Sequence, residues 1–201
     1  MKSLIMLGLK LPTDPRWVNI VEKNVAEILT DHAYCEQKAA SNAISTIVKF
    51  PEHPEVVQAM TAIAMEEMEH FGMVHAKIVE RGYELGEERA DPYVGDLIKY
   101  LNANYGGDSH TSRFVNKMLF SAMVEARSCE RFKILSEEMT DPDLKEFYWS
   151  LMESEARHYT TFLGFARKYG GKIDVNARWE DFLAFEATLM EKYGKSETMH
   201  G

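Results

Sequence analysis

Cysteine is scarce in this 201-residue chain, which has two, Cys35 and Cys129. They form no Cys-x-x-Cys pair, which excludes a zinc-ribbon or rubredoxin-type appendage. Both fall on predicted helices, where free, buried and reduced thiols are expected. Long apolar runs are lacking too. The longest near the N-terminus, Leu4 to Leu9, is too short to span a membrane. Lys10 and Pro12 close it and no small-residue cleavage site follows, so a buried N-terminal segment is expected rather than a leader. No membrane is implied, and the cytoplasm is the default location. Positive charge is also in deficit. The 23 Lys and Arg face 32 Asp and Glu, a formal charge of −9, which argues against general nucleic-acid binding. The deficit is uneven, however. Residues 110–178 hold 11 basic and 10 acidic side chains, and the rest of the chain holds 12 and 22. The length and the 45% apolar content suit one soluble domain over residues 1–201.

Helical periodicity dominates what is present. Four long helices are predicted at about 15–49, 54–82, 111–139 and 142–169, and a C-terminal one at about 175–193. The first stripe is Val25, Ile28, His32, Glu36, Ala39, Ala43, Ile47. The second is Val56, Met60, Ile63, Glu67, His70, Val74, Ile78. After a connection over 83–110, with a short helix from about Pro92 to Asn102, comes Phe114, Met118, Ala122, Glu125, Cys129, Phe132, Ser136. The fourth is Leu144, Tyr148, Leu151, Glu155, His158, Phe162, Phe165, Tyr169. Residues 194–201 read as frayed. Two helix hairpins joined by a long connection suit an all-α four-helix bundle with a crossover between helices 2 and 3 and additional short helices.

One pattern occurs twice. A glutamate on an apolar stripe is followed about thirty residues later by Glu-x-x-His on another stripe. The copies are Glu36 with Glu67 and His70, and Glu125 with Glu155 and His158. A charge on a core-facing stripe is costly unless it is paired or binds metal. Positions i and i+3 share a helix face, so each Glu-x-x-His offers both side chains to one site. Four carboxylates and two imidazoles on four helices are the donor set of ferritin-like dinuclear proteins. Two divalent ions would neutralise four carboxylates, and imidazole favours iron over magnesium or calcium. The hairpin register agrees: Glu36 lies 18 residues before Pro54 and Glu125 lies 17 before Pro142, while Glu67 and Glu155 each lie 13 after their prolines. One residue is about 1.5 Å of helix rise.

The same spacing sets aside Glu130, about 9 Å off the level of Glu36 and about 140° round the helix from Glu125. Glu66, Glu69 and Glu153 lie off the stripes and read as solvated acids. His32, one turn before Glu36, reads as a packed histidine or a supporting one beside the ligands. His53, His75, His110 and His200 are expected at the surface or in loops. Tyr34, Tyr148 and Tyr159 read as core or helix-surface aromatics. Arg127 and Arg131 are open to two readings, as structural ion-pair partners or as phosphate contacts. Besides the dinuclear centre, no separate protein acid or base and no organic cofactor site is assigned. An iron-oxidising or storage protein of the ferritin kind and a peroxide-scavenging di-metal protein remain alternatives at this level.

The stretches Tyr34–Ala40, Glu66–Phe71, Val124–Phe132 and Glu153–Tyr159, with the Leu11–Asp14 opening, resemble the MiaE family of tRNA 2-methylthio-N6-isopentenyladenosine hydroxylases. The resemblance covers nearly the whole chain and is most specific over Glu125–Phe132. It implies a ferritin-like di-iron monooxygenase in which Glu36, Glu67, His70, Glu125, Glu155 and His158 bind two iron ions. It further implies O₂-dependent hydroxylation of the isopentenyl group on a modified adenosine beside the tRNA anticodon. Two electrons would come from an external reductase, since the chain has no flavin or iron–sulfur motif. Candidate tRNA contacts are Arg127, Arg131, Lys133, Arg157, Arg167 and Lys168, with an aromatic near the site stacking on the base. A monomer or small oligomer is expected rather than a cage.

Overall fold

A computed structural model describes residues 7–107, 109–196 and 198–200. No strand occurs among them. A single 3-10 turn, Pro15–Trp17, leads into a short helix α1 (Val18–Val21). Then come α2 (Val25–Lys49), α3 (Pro54–Glu80), α4 (Pro92–Tyr105), α5 (His110–Glu138), α6 (Pro142–Tyr169) and α7 (Val175–Tyr193). The all-α expectation and the order of the long helices therefore hold. The first predicted helix does not run unbroken from Pro15. Asn24 leaves helical geometry at φ −138°, ψ 47°, and separates α1 from α2. Helix starts follow from the sequence. Asp91, Asp141 and Asp174 each accept from backbone N–H groups of the first turn of α4, α6 and α7. These are the donors that a helix leaves unsatisfied, and Pro54, Pro92 and Pro142 sit where no donor is needed. Gly82, at φ 72°, closes α3 with a left-handed residue.

The chain divides into two compact units. One comprises Val21–Ala90 with Met199, and in it α2 packs along α3. All seven residues of the predicted α3 stripe are buried, whereas Val25, Ala39 and Ile47 of the α2 stripe are only partly covered. The connection after α3 folds back on α2 through the Tyr34 hydroxyl, which donates to the Gly86 carbonyl at 3.1 Å.

The other unit holds, among the described residues, 7–20, 91–107, 109–196 and His200. Its axis is α5, packed by α4, α6 and α7. Every residue from Glu125 to Phe132 is buried, so α5 has no solvent face there. The described N-terminal segment belongs to this unit: Leu9 and Trp17 are buried, and the Arg131 guanidinium lies 3.8 Å over the Trp17 ring. Residues 1–6, which carry half of the run Leu4–Leu9, lie outside the described residues. The expected fraying after Gly194 is not what the described residues show. Met199 and His200 are both buried. The Met199 N–H donates to Asp31 at 2.6 Å within its unit. His200 meets Ser128 at 3.1 Å and Asp91 at 3.3 Å and stacks on Tyr93.

Candidate metal centre

Each unit brings together one of the two predicted ligand groups. On α2 and α3, Glu36, Glu67 and His70 are all buried, and each offers a ligand atom within 4.8 Å of the others. The i,i+3 spacing puts His70 Nδ1 3.4 Å from a Glu67 oxygen, and Glu36 lies 3.8 Å from the same nitrogen. His32, fully buried one turn before Glu36, holds the other Glu36 oxygen at 2.6 Å through Nε2. On α5 and α6, Glu125, Glu155 and His158 form the matching buried group, again with ligand atoms within 4.8 Å. His158 Nδ1 and Glu125 are 3.9 Å apart.

Such groups are electrostatically unfavourable without a cation. Burial pushes the Glu36 carboxyl up to about 8; His70 pulls it down and the neighbouring Glu67 pushes it up again. A metal ion that binds such an acid displaces its proton and supplies the positive charge that burial otherwise denies the carboxylate. Two carboxylates and one imidazole per group are hard and borderline donors that suit iron or manganese. The residues thus fit the metal chemistry that their spacing implies.

Glu130, set aside by its register, points elsewhere. It accepts from the Thr13 N–H at 2.8 Å and the Thr13 hydroxyl at 2.7 Å. Arg127 donates to it at 2.9 Å. Arg127 also donates to one oxygen of Glu186 at 2.9 and 2.6 Å and to the Leu11 carbonyl at 3.1 Å. The Tyr93 hydroxyl donates to that Glu186 oxygen at 2.9 Å. Arg131 is fully buried over Trp17, and burial, with Arg127 beside it, lowers its pKa to about 9. The phosphate-contact reading of Arg127 and Arg131 is corrected: both guanidinium groups are sealed inside the unit and cannot meet RNA. Lys133 is half-buried and pairs with Glu137. Arg157, Arg167 and Lys168 are exposed. His200, expected at the surface, is buried. Tyr148 is buried in the core, and Tyr159 tilts against Trp179.

The polar cluster around Glu186 was not anticipated. Its signal was present, because Glu186 interrupts the apolar α7 series Val175, Trp179, Phe182, Leu183, Leu189, the same irregularity that marks the ligand candidates. Cys129 is buried and Cys35 is partly covered, and neither forms a disulfide.

The sequence profile described as "tRNA-(MS[2]IO[6]A)-hydroxylase (MiaE)" matches residues 2–201. A protein of Pseudomonas putida, tRNA 2-(methylsulfanyl)-N(6)-isopentenyladenosine(37) hydroxylase, is 33% identical over 189 residues, covering 94% of this chain and 89% of its own. A Salmonella typhimurium protein of the same name is 27% identical, covering 94% and 85%. Among solved structures, a Synechococcus protein with aldehyde deformylating oxygenase activity matches with a TM-score of 0.85 at 30% identity, over 96% of this chain and 95% of that one. The fold is thereby the ferritin-like one expected. With its duplicated Glu and Glu-x-x-His groups and a family match from end to end, the chain belongs to the MiaE family of tRNA hydroxylases.

Proposed function

We propose that this protein hydroxylates the isopentenyl group of 2-methylthio-N6-isopentenyladenosine in tRNA, with two iron ions held by Glu36, Glu67, His70, Glu125, Glu155 and His158. The observation that carries the proposal is the pair of buried three-residue donor groups, in a chain matched throughout by the hydroxylase family. In this reading the two units act as one domain over residues 1–201. When bound, the irons supply activation of O₂, with two electrons from an external reductase. The protein's own residues do the rest. Glu67 and Glu155 each present a carboxylate beside an imidazole on one helix face. His32 holds a Glu36 oxygen in a fixed orientation, as supporting hydrogen bonds do around metal ligands. Buried apolar residues on the ligand-bearing stripes, Ile63 and Val74 on α3, Ala122 on α5 and Phe162 on α6, would keep water from the ligands of their own helices. No helix among the described residues is long and apolar enough to cross a membrane. A cytoplasmic enzyme acting on the tRNA anticodon loop as a monomer or small oligomer accords with this.

The test is mass spectrometry of nucleosides from modified tRNA after incubation with reduced, iron-loaded protein and O₂. Wild type should yield the hydroxylated nucleoside, and Glu125→Ala should not. No product, together with rapid iron oxidation by a large shell-like assembly, would replace this reading with iron storage.

A further inference from the structure

We propose that the solvent face of α6 beyond the ligand pair, with the turn that follows the helix, is an RNA-docking track, on which Arg157, Arg167, Lys168 and, in the turn, Lys172 meet backbone phosphates. This rests on the tRNA reading above and specifies the surface it uses. Three observations converge. The first is charge. Residues 142–155 of α6 carry one Lys against four acids, whereas residues 156–179 carry five Lys and Arg against one Asp, in a chain of net −9. That single acid, Asp174, is engaged as the cap of α7, where it accepts from the Ala177 N–H at 2.9 Å.

The second is placement. Positions 157, 160, 164, 167 and 168 are exposed, while 155, 158, 162, 163 and 166 are buried. At 3.6 residues per turn the exposed positions share one side of the helix. The track starts beside His158 and reaches Lys168 ten residues on, a rise of about 15 Å. A helix C-terminus by itself favours cations, which accounts for Arg167 and Lys168 in the last turn. It does not account for Arg157, three turns earlier.

The third is relief. Between the charges lie Thr160, Thr161 and Gly164. Both threonine hydroxyls turn back to helix carbonyls at 2.9 Å, and a Cβ built at Gly164 would meet nothing within 4 Å. The surface between the cations is therefore low, and a sugar–phosphate chain can approach it closely. Arg178 is not part of the track, because it is partly buried, donates to Ser112 and Asn116 and lies over the Tyr105 ring.

The experiment is tRNA binding by fluorescence anisotropy across a salt series, using the iron-loaded full chain. Arg157→Gln/Lys168→Gln should weaken binding roughly tenfold near 0.1 M salt. It should also flatten the log–log salt slope by about 1.4–1.8, the loss of two phosphate contacts. Lys99→Gln, an exposed lysine on α4 paired with Asp96, should leave affinity and slope unchanged. A thermal transition like that of wild type shows that the double variant is folded. Unchanged affinity and slope in the double variant, or an equal loss in Lys99→Gln, overturns the track. The two readings separate because wild-type hydroxylation of modified tRNA is scored independently: product with track-independent binding refutes the surface alone, and track-dependent binding without product refutes the activity alone.

Discussion

Replacing Glu186 by leucine should destabilise the protein well beyond the usual cost of one substitution. The Arg127 and Glu186 side chains are fully buried, and the guanidinium donates twice to one carboxylate oxygen, at 2.9 and 2.6 Å. Tyr93 donates a third hydrogen bond to the same atom. Removing the acid leaves a cation in the interior, and breaking one partner of a buried pair costs about 3–5 kcal/mol. Glu130 remains on the guanidinium at 2.9 Å, so the low end applies, about 3 kcal/mol. A chain of this length loses roughly 2–4 °C of Tm per kcal/mol, which puts the expected fall at about 6–12 °C by circular dichroism. Glu186→Gln, which retains an oxygen acceptor, should lose less. Arg127→Met/Glu186→Leu should be less destabilised than the sum of its single variants by about 2 kcal/mol, because the second change removes the charge stranded by the first. Additive single variants, or a Glu186→Leu loss under about 1 kcal/mol, would refute the reasoning, since the pair would then not act as a unit.

Glu125→Gln should lower iron occupancy in a metal titration, while Glu130→Gln should keep both irons yet lose thermal stability through Arg127 and Thr13; the reverse order would show that the α5 register is misread. Metal uptake should release protons below pH 8. In the metal-free chain the Glu36 carboxyl is held up to about 8, so it keeps its proton between the ordinary carboxylate pKa and pH 8, and a metal ion must displace it. Calorimetry in buffers of different ionisation enthalpy should therefore find more protons released per chain at pH 6.5 than at pH 9, and equal release would contradict the prediction. In native protein a disulfide-exchange reagent at neutral pH should modify Cys35 well before Cys129, whose thiol is pushed up to about 12 by burial and then by the Glu155 and Glu130 charges; equal rates would show that Cys129 is accessible.

The ligand candidates were legible because a glutamate on an apolar helical stripe violates a strong rule, and the α3 stripe from Val56 to Ile78 proved buried throughout. The same rule applied to Glu186, but a stripe does not reveal whether the compensating charge is a metal ion or an arginine. That partner, Arg127, is 59 residues away in sequence. Arg127 and Arg131 were ambiguous for a related reason. Periodicity identifies the core face of a helix, but α5 is enclosed on all sides over Glu125–Phe132, so positions off its stripe are buried too. Burial of His200 was not legible, because a short irregular segment carries no period and its contacts with Ser128 and Asp91 are distant in the chain.

The N-terminal segment has a consequence for the order of events during synthesis. Thr13 finds Glu130 across 117 residues, and Trp17 finds Ser196 across 179. At translation rates of about 5–20 residues per second, Thr13 waits about 6–23 s for its partner to be made, and Trp17 about 9–36 s. During that time α2 and α3, whose contacts are local, can pair as they emerge, while Leu9, Trp17 and Val18 have not yet reached their final surroundings. The apolar segment at this end, Leu9 to Val18, thus stays exposed until α5 and the segment after α7 have been made. A nascent chain stalled before α5 should recruit a hydrophobe-binding chaperone through that end.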